Sequence, residues 1–372
     1  MAEIPKKSRA AVLVEYSKPL QMREYPIPEV EPRGILVKVE MAGICGSDIH
    51  QWHGRAVMNA PLPNIPGHET IGRIVKLGKD RTHDSAGELL NIGDRIIWPH
   101  VDCGECYWCK IARQPTMCAN RTVYAFRCSD DYPHLMGGFA EYEYLIPKAE
   151  VVKVPDELTD EEAVGVGCAF RTAVAAYERL GGIGIQDDVV IQGAGPIGLY
   201  SLLLAVEGGA RKTIVVGAPQ VRLELAKKWG ADHVINIDTI SDPSQRRDQI
   251  LNLTNGRGPD VVVEGSGVPA AFNEGLEMVR KGGRYLIIGQ TTQLTIPIKP
   301  STIMNKGLDI VGSASASIPH FYKALQFIKT KRAKYPFAEI VTNKYSLERA
   351  NEALINMEAG KEIKPVIDNR GH

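Results

Sequence analysis

Charge of one sign is missing from this 372-residue chain: 44 lysines and arginines stand against 44 aspartates and glutamates, a formal net charge of zero. No net field therefore recruits nucleic acid or an anionic membrane, and neither is expected as a partner. A long hydrophobic run is missing too, since the longest apolar stretch, near residues 199–206, is far too short to span a bilayer. The start, Met1-Ala-Glu-Ile-Pro-Lys-Lys-Ser-Arg-Ala10, is charged and lacks the apolar core of a signal peptide. A cytoplasmic, reducing location is the expectation. Internal repeats and low-complexity tracts are absent as well. Cysteine is scarce, with seven residues in the chain, and in a reducing compartment clustered thiols read as metal ligands rather than disulfides.

A chain of this length exceeds what one core accommodates, so two domains are expected. Up to about residue 150 it reads as β-rich, with runs at 9–15, 34–42, 70–77, 94–98 and 139–146 broken by glycine and proline. Their irregular spacing predicts a distorted barrel. Thr159 and Glu162 stand as a capping box requires, and the pattern predicts one long helix through about Leu180. Beyond Asp188, β-branched runs at 189–192, 213–216, 233–237, 261–264 and 285–288 alternate with helical segments such as 196–207, 221–229 and 271–280. That alternation predicts a parallel sheet covered on both faces. Two further helical stretches, 321–331 and 347–357, precede a last strand at 364–368.

Val189-Val-Ile-Gln-Gly193-Ala-Gly195-Pro196-Ile197-Gly198 is a strand running into Gly-x-Gly-x-x-Gly and then a helix. Gly193 permits the tight turn, Gly195 lets a pyrophosphate approach the backbone, and Gly198 allows close helix–strand packing. The helix start at Pro196-Ile197 turns its amides toward the phosphates. Glycines alone are common between strand and helix; with further βα units behind them, a dinucleotide site is the reading. The usual fingerprint then places a carboxylate at the end of the next strand to grip the adenosine ribose. Gly217 stands there instead. Arg222 either supplies positive charge to the adenosine end or is a solvated residue of a helix. NAD and NADP both stay open.

Cys103-x2-Cys106-x2-Cys109-x8-Cys118 offers four thiolates, a set that tetrahedral zinc accepts with no position left over. An iron–sulfur cluster takes the same ligands, and a nucleic-acid zinc module would want a basic stripe that these residues lack. A structural zinc is the expected use. Cys45 in Gly43-Ile-Cys45-Gly-Ser47-Asp48-Ile-His50, His68 in Pro66-Gly-His68-Glu69, and the distant Cys168 would make Cys2His ligation with a fourth position open, as catalytic zinc requires. Asp48 is suited to accept the other ring proton of His68, and Glu69 to approach the metal as an auxiliary group. Taken singly, each has a plain use: the thiols as small buried hydrophobes, His68 in a turn, Asp48 as a surface charge. Cys128 has no expected role.

These motifs, with Gly-Gly-Phe-Ala-Glu-Tyr at 137–142, fall in order along nearly the whole chain. The chain resembles the zinc-dependent alcohol dehydrogenases of the medium-chain dehydrogenase/reductase family. The resemblance implies an α/β architecture, with a GroES-like β-rich catalytic domain from residues 1–160 and 313–372. A Rossmann doubly wound parallel-sheet cofactor domain would span 161–312. It implies one catalytic and one structural zinc, NAD or NADP, and a homodimer or homotetramer. It further implies reversible hydride transfer between an alcohol and the nicotinamide, giving a ketone or aldehyde. Ser47 would take the hydroxyl proton and His50 pass it to water, with Asp48 and Glu69 assisting. Thr172 and Ile288 join Gly193, Gly195, Pro196, Ile197, Gly198, Gly217 and Arg222 in the implied cofactor set.

Two departures stand out. The spacer before Cys118 is one residue longer than is usual in the family. Ala218-Pro219-Gln220 lacks the basic residue that generally follows a glycine at position 217 in NADP-preferring members. Residues 51–61, with Trp52 and Met58, are expected to help line the pocket and favour an apolar, secondary or cyclic alcohol; core packing is the other use of Trp52. The alternatives are a polyol or sugar-type zinc dehydrogenase, a zinc-free quinone or enoyl reductase on the same fold, and a non-catalytic zinc-binding protein.

Overall fold

The computed structural model describes residues 4–56, 58, 60–289 and 294–371. The chain forms two compact units, Met1–Cys168 with Ala316–His372, and Ala169–Ser315. The divisions thus fall after Cys168 and before Ala316, not at the 160/161 and 312/313 boundaries expected from the sequence. Helix Asp160–Ala163 packs against the 3₁₀ turn Phe337–Ile340 of the first unit, which keeps it there.

Strand Ile35–Gly43 organises the first unit. It pairs antiparallel with Glu69–Leu77 along one edge; along the other it takes Tyr142–Leu145 at its start and Lys364–Asp368 at its end. Arg95–Ile97, Val152–Lys153 and Val341–Tyr345 complete the sheet, and Lys7–Val12 pairs with Gln21–Pro26 in a separate ribbon. Register shifts between Ile35–Gly43 and Glu69–Leu77 bend the sheet as bulges do. Its apolar faces feed two cores, one around Val12, Ile44, Phe139 and Leu354 and another around Val37, Ile74, Trp98 and Leu145. Strands Gln21–Pro26 and Val341–Tyr345 were silent in the sequence because they are largely exposed and carry few β-branched residues.

The expected long helix is broken. Its capping box forms, with Glu162 N donating to Thr159 Oγ1 at 3.3 Å and Thr159 N donating to Glu162 Oε2 at 2.8 Å. The helix then ends at Ala163, a 3₁₀ turn follows over Val164–Gly167, and Cys168 leaves helical angles (φ −142°, ψ −68°) before Ala169–Leu180 resumes. Two glycines weaken the helix here. Gly167 also runs so close to the sheet that a Cβ on it would stand 2.7 Å from Glu69 Cα.

The second unit is a six-stranded parallel sheet, in the order His233–Asn236, Lys212–Gly217, Asp188–Gln192, Val261–Glu264, Arg284–Ile287, Asp309–Gly312. The first five of these were legible as β-branched runs, and Lys212–Gly217, Asp188–Gln192 and Val261–Glu264 among them are buried on both faces. The short, half-exposed edge strand Asp309–Gly312 and the polar helix Pro243–Leu253 were not legible. No helix among the described residues is long and apolar enough to cross a membrane.

Candidate metal centres and cofactor turn

The register Gly43↔Glu69 assembles the first cluster. Cys45 follows the end of one strand and His68 precedes the start of its neighbour, so thiol and ring meet at the same end of the sheet, with Cys45 Sγ 3.4 Å from His68 Nε2. The turn Val164–Gly167 packs on the same strand and delivers Cys168. The donor atoms of Cys45, His68, Glu69 and Cys168 all lie within 4.8 Å of one another. Glycine is required at Gly43 as at Gly167, because a Cβ there would sit 2.5 Å from Glu69 Oε2.

Cys45 also caps helix Gly46–Trp52. Ser47 N donates to its sulfur at 3.3 Å, and Cys45 N donates to Asp48 Oδ2 at 2.9 Å. The other Asp48 oxygen accepts from Gly67 N and lies 3.3 Å from His68 Nδ1, which leaves Nε2 facing the thiol. Burial alone would raise Asp48, but His68 and the amides of Cys45 and Gly67 hold it below the usual carboxylate range. Burial likewise opposes a charge on His68, yet Asp48 carries its pKa well above normal. A hydrogen bond with Cys168, then burial and the nearby Asp48, push the Cys45 thiol up. So many buried acidic donors facing one point are stabilised by a cation, and two thiols with an imidazole are a zinc set.

Ser47 and His50 stand three residues apart on that helix, so they share a face. His50 is half-buried; burial, then Arg55 and His53, lower its pKa. The rings of His100 and Phe126 lie 6.2 and 6.4 Å from that of His68. Lys364 escaped sequence reasoning. The register Val366↔Gly43 carries this fully buried lysine onto Glu69 Oε2, and Glu69 keeps it protonated against the pull of burial. A cation directly ahead of the apolar run Pro365-Val366-Ile367 was the one available signal. Trp52 belongs to packing: its indole donates to Lys18 O at 2.6 Å and its ring lies against the first core. Met58 is exposed; Val57 and Asn59 lie outside the described residues.

The second cluster is the lobe. Sulfur separations are 3.5 Å for Cys103–Cys118, 3.6 Å for Cys106–Cys109, 3.8 Å for Cys106–Cys118 and 4.0 Å for Cys103–Cys109. Thiolates bound to zinc at about 2.3 Å in a tetrahedron stand about 3.8 Å apart, so the four sulfurs fit that ion. The amides of Glu105 and Cys106 hold Cys103 down at about 6, toward the thiolate a metal needs. The long spacer is taken up by the 3₁₀ turn Pro115–Met117. Cys128 pairs by backbone with Asn64 and joins neither cluster.

In the second unit, Gly193 adopts φ +106° and donates its amide to Val216 O at 2.7 Å. Gly195 is the N-cap of helix Pro196–Glu207, has no side-chain cap, and a Cβ on it would meet nothing within 4 Å. A Cβ on Gly198 would collide with Gly193 O. This open, uncapped turn suits a pyrophosphate. Gly217 ends the neighbouring strand, where a Cβ would stand 2.8 Å from Ala194 N, so the glycine turn itself leaves no room for a side chain. Arg222 is half-buried on helix Gln220–Lys228, and burial lowers its pKa. Ile288 follows strand Arg284–Ile287 at the same carboxyl end of the sheet, while Thr172 is buried on helix Ala169–Leu180.

Residues 31–156 match the alcohol dehydrogenase GroES-like domain, and residues 196–330 match the zinc-binding dehydrogenase domain. The chain is similar to 5-exo-hydroxycamphor dehydrogenase of Pseudomonas putida, 35% identical over 97% of this chain and 99% of that one. Sorbitol dehydrogenase of Bacillus subtilis is 31% identical over 94% of each chain. The crystal structure of an alcohol dehydrogenase from Thermotoga maritima superposes with a TM-score of 0.90 at 34% identity, over 97% of this chain and 99% of that one.

Proposed function

The chain belongs to the zinc-dependent alcohol dehydrogenases of the medium-chain dehydrogenase/reductase family, and on that premise we propose that it interconverts an apolar secondary or cyclic alcohol and its ketone with NAD or NADP. One observation carries the reading: the donors of Cys45, His68, Glu69 and Cys168 converge within 4.8 Å at the base of the helix that bears Ser47 and His50. The hydroxycamphor dehydrogenase relative and the Phe126 ring beside His68 support a cyclic, apolar substrate.

Cys45, His68 and Cys168 hold the catalytic zinc, with Glu69 as an auxiliary group restrained by Lys364. When bound, zinc supplies Lewis acidity to the substrate oxygen and the nicotinamide supplies the hydride acceptor. Asp48 engages the second ring nitrogen of His68 and fixes its tautomer. Ser47 takes the hydroxyl proton. His50, its pKa lowered by burial, is neutral near pH 7 and passes the proton to water. Cys103, Cys106, Cys109 and Cys118 hold the structural zinc. Gly193, Gly195, Pro196, Ile197 and Gly198 receive the pyrophosphate, and Thr172, Gly217, Arg222 and Ile288 complete the cofactor set. We place the enzyme in the cytoplasm, a reducing compartment in which clustered thiols serve as metal ligands, and read it as a homodimer or homotetramer by its family.

A panel of alcohols and ketones assayed with both cofactors tests this. Zinc-dependent turnover of cyclic secondary alcohols is expected, with Cys45→Ala losing one zinc and all activity and Ser47→Ala losing activity alone. Turnover by metal-free protein, or full activity in either variant, would overturn the mechanism. The similarity to sorbitol dehydrogenase favours a polyol as the second reading, which a preference for sugar alcohols in the same panel would establish.

A further inference from the structure

Helix Gly46–Trp52 is fastened at its far end by an unusual number of contacts. Trp52 Nε1 donates to Lys18 O at 2.6 Å, and Ser17 N donates to Trp52 O at 2.8 Å. His53, the C-cap, lies against the Trp52 ring with centroids 4.7 Å apart. Its Nδ1 meets Ser17 Oγ at 2.8 Å and its Nε2 meets Glu358 Oε1 at 2.8 Å. Ser17 holds φ +60°, a left-handed conformation that a serine keeps only where its surroundings enforce it. Glu358 ends helix Ala350–Glu358, which packs against helix Gly46–Trp52.

Hydroxyl, imidazole and carboxylate in a row is also the arrangement of a serine nucleophile. Here the amides of Ser17 and Lys18 are already bonded to Trp52 O and Glu15 O, so neither is aimed at an oxyanion. The row is a tether.

We propose that His53 is a positioning residue: by bridging Ser17 and Glu358 it fixes the end of helix Gly46–Trp52, and through it the His50 ring that receives the relayed proton. The proposal rests on the relay reading above. His53 N donates to Ile49 O at 3.1 Å and Arg55 N to His50 O at 2.7 Å, so the backbone on either side of the tether holds the turn that carries His50. Relay geometry is exacting, since a misplacement of about 1 Å costs roughly a hundredfold in rate.

His53→Phe keeps a ring against Trp52 and removes both side-chain bonds. In the zinc-loaded enzyme it is expected to lower kcat about tenfold, less than a full ångström of misplacement costs. The alcohol KM and zinc content should hold, and the acid limb of the kcat–pH profile should shift. His50→Gln should lose at least as much, and the double variant no more than His50→Gln alone, because one group acts through the other. Ser17→Ala, which removes a single exposed bond, should show a smaller loss of the same kind and serves if His53→Phe folds poorly. Unchanged kcat and pH profile in both His53→Phe and Ser17→Ala, or losses that multiply in the double variant, would overturn the positioning role. A normal rate in His50→Gln would overturn the relay reading instead.

Discussion

Glu143 is fully buried on strand Tyr142–Leu145. Burial pushes its pKa from 4.5 up to about 8, with Thr70, Trp98 and His68 pulling the other way. A folded pKa above the unfolded one means that the folded protein keeps a proton the unfolded chain releases. Stability is therefore fullest below the unfolded value of 4.5 and is lost as pH rises toward about 8. The slope reaches at most about 1.4 kcal/mol per pH unit. Glu143→Gln retains the shape of the neutral acid and should abolish that slope, so urea denaturation at several pH values should show the variant gaining on the parent as pH rises. Parallel curves would contradict the assignment. Glu-Tyr-Glu-Tyr at 141–144 alternates as though its glutamates faced solvent, yet Glu143 and Tyr144 are both fully buried, so the alternation misleads here. Cys45, His68 and Cys168 were legible for the opposite reason: their side-chain types carry the chemistry, whatever their surroundings. Lys364 was not, since a lysine becomes a partner for Glu69 only once a register brings it there.

At the scale of elements, the break in the helix after Ala163 matters most. Periodicity favoured continuing it, yet a continuous helix would not aim Cys168 at Cys45 and His68. Gly167 permits the close approach to Glu69 that the break requires. Gly167→Ala should therefore cost about 1–3 kcal/mol through overpacking and lower zinc content by one ion per chain, while the lobe keeps its own. Metal analysis and activity check this together; a variant with full zinc and full activity would show that the turn tolerates a methyl. Gly217 is a second case in which packing decides. The sequence marked the missing carboxylate, but only the approach of Ala194 explains why no side chain stands there.

The whole molecule comprises two units, each with its own core, and both thiol clusters lie in the first. On the proposed reading the cofactor binds the one and zinc the other, so each ligand should stabilise its own unit by mass action. Calorimetry is expected to resolve two transitions, one rising with added NAD(H) or NADP(H) and the other falling with a zinc chelator. A single transition that moves as one with either ligand would show that the units unfold together.

The sequence by itself determined the family, the two cysteine groups, the glycine turn and the parallel sheet, because residue type and short-range period suffice for each. Tertiary structure alone decided the broken helix before Cys168, the burial of Lys364 on Glu69, the buried acid at Glu143 and the tether at His53. Each of these depends on residues far apart in the chain meeting through strand register or helix packing, and no local pattern encodes which pairs will meet.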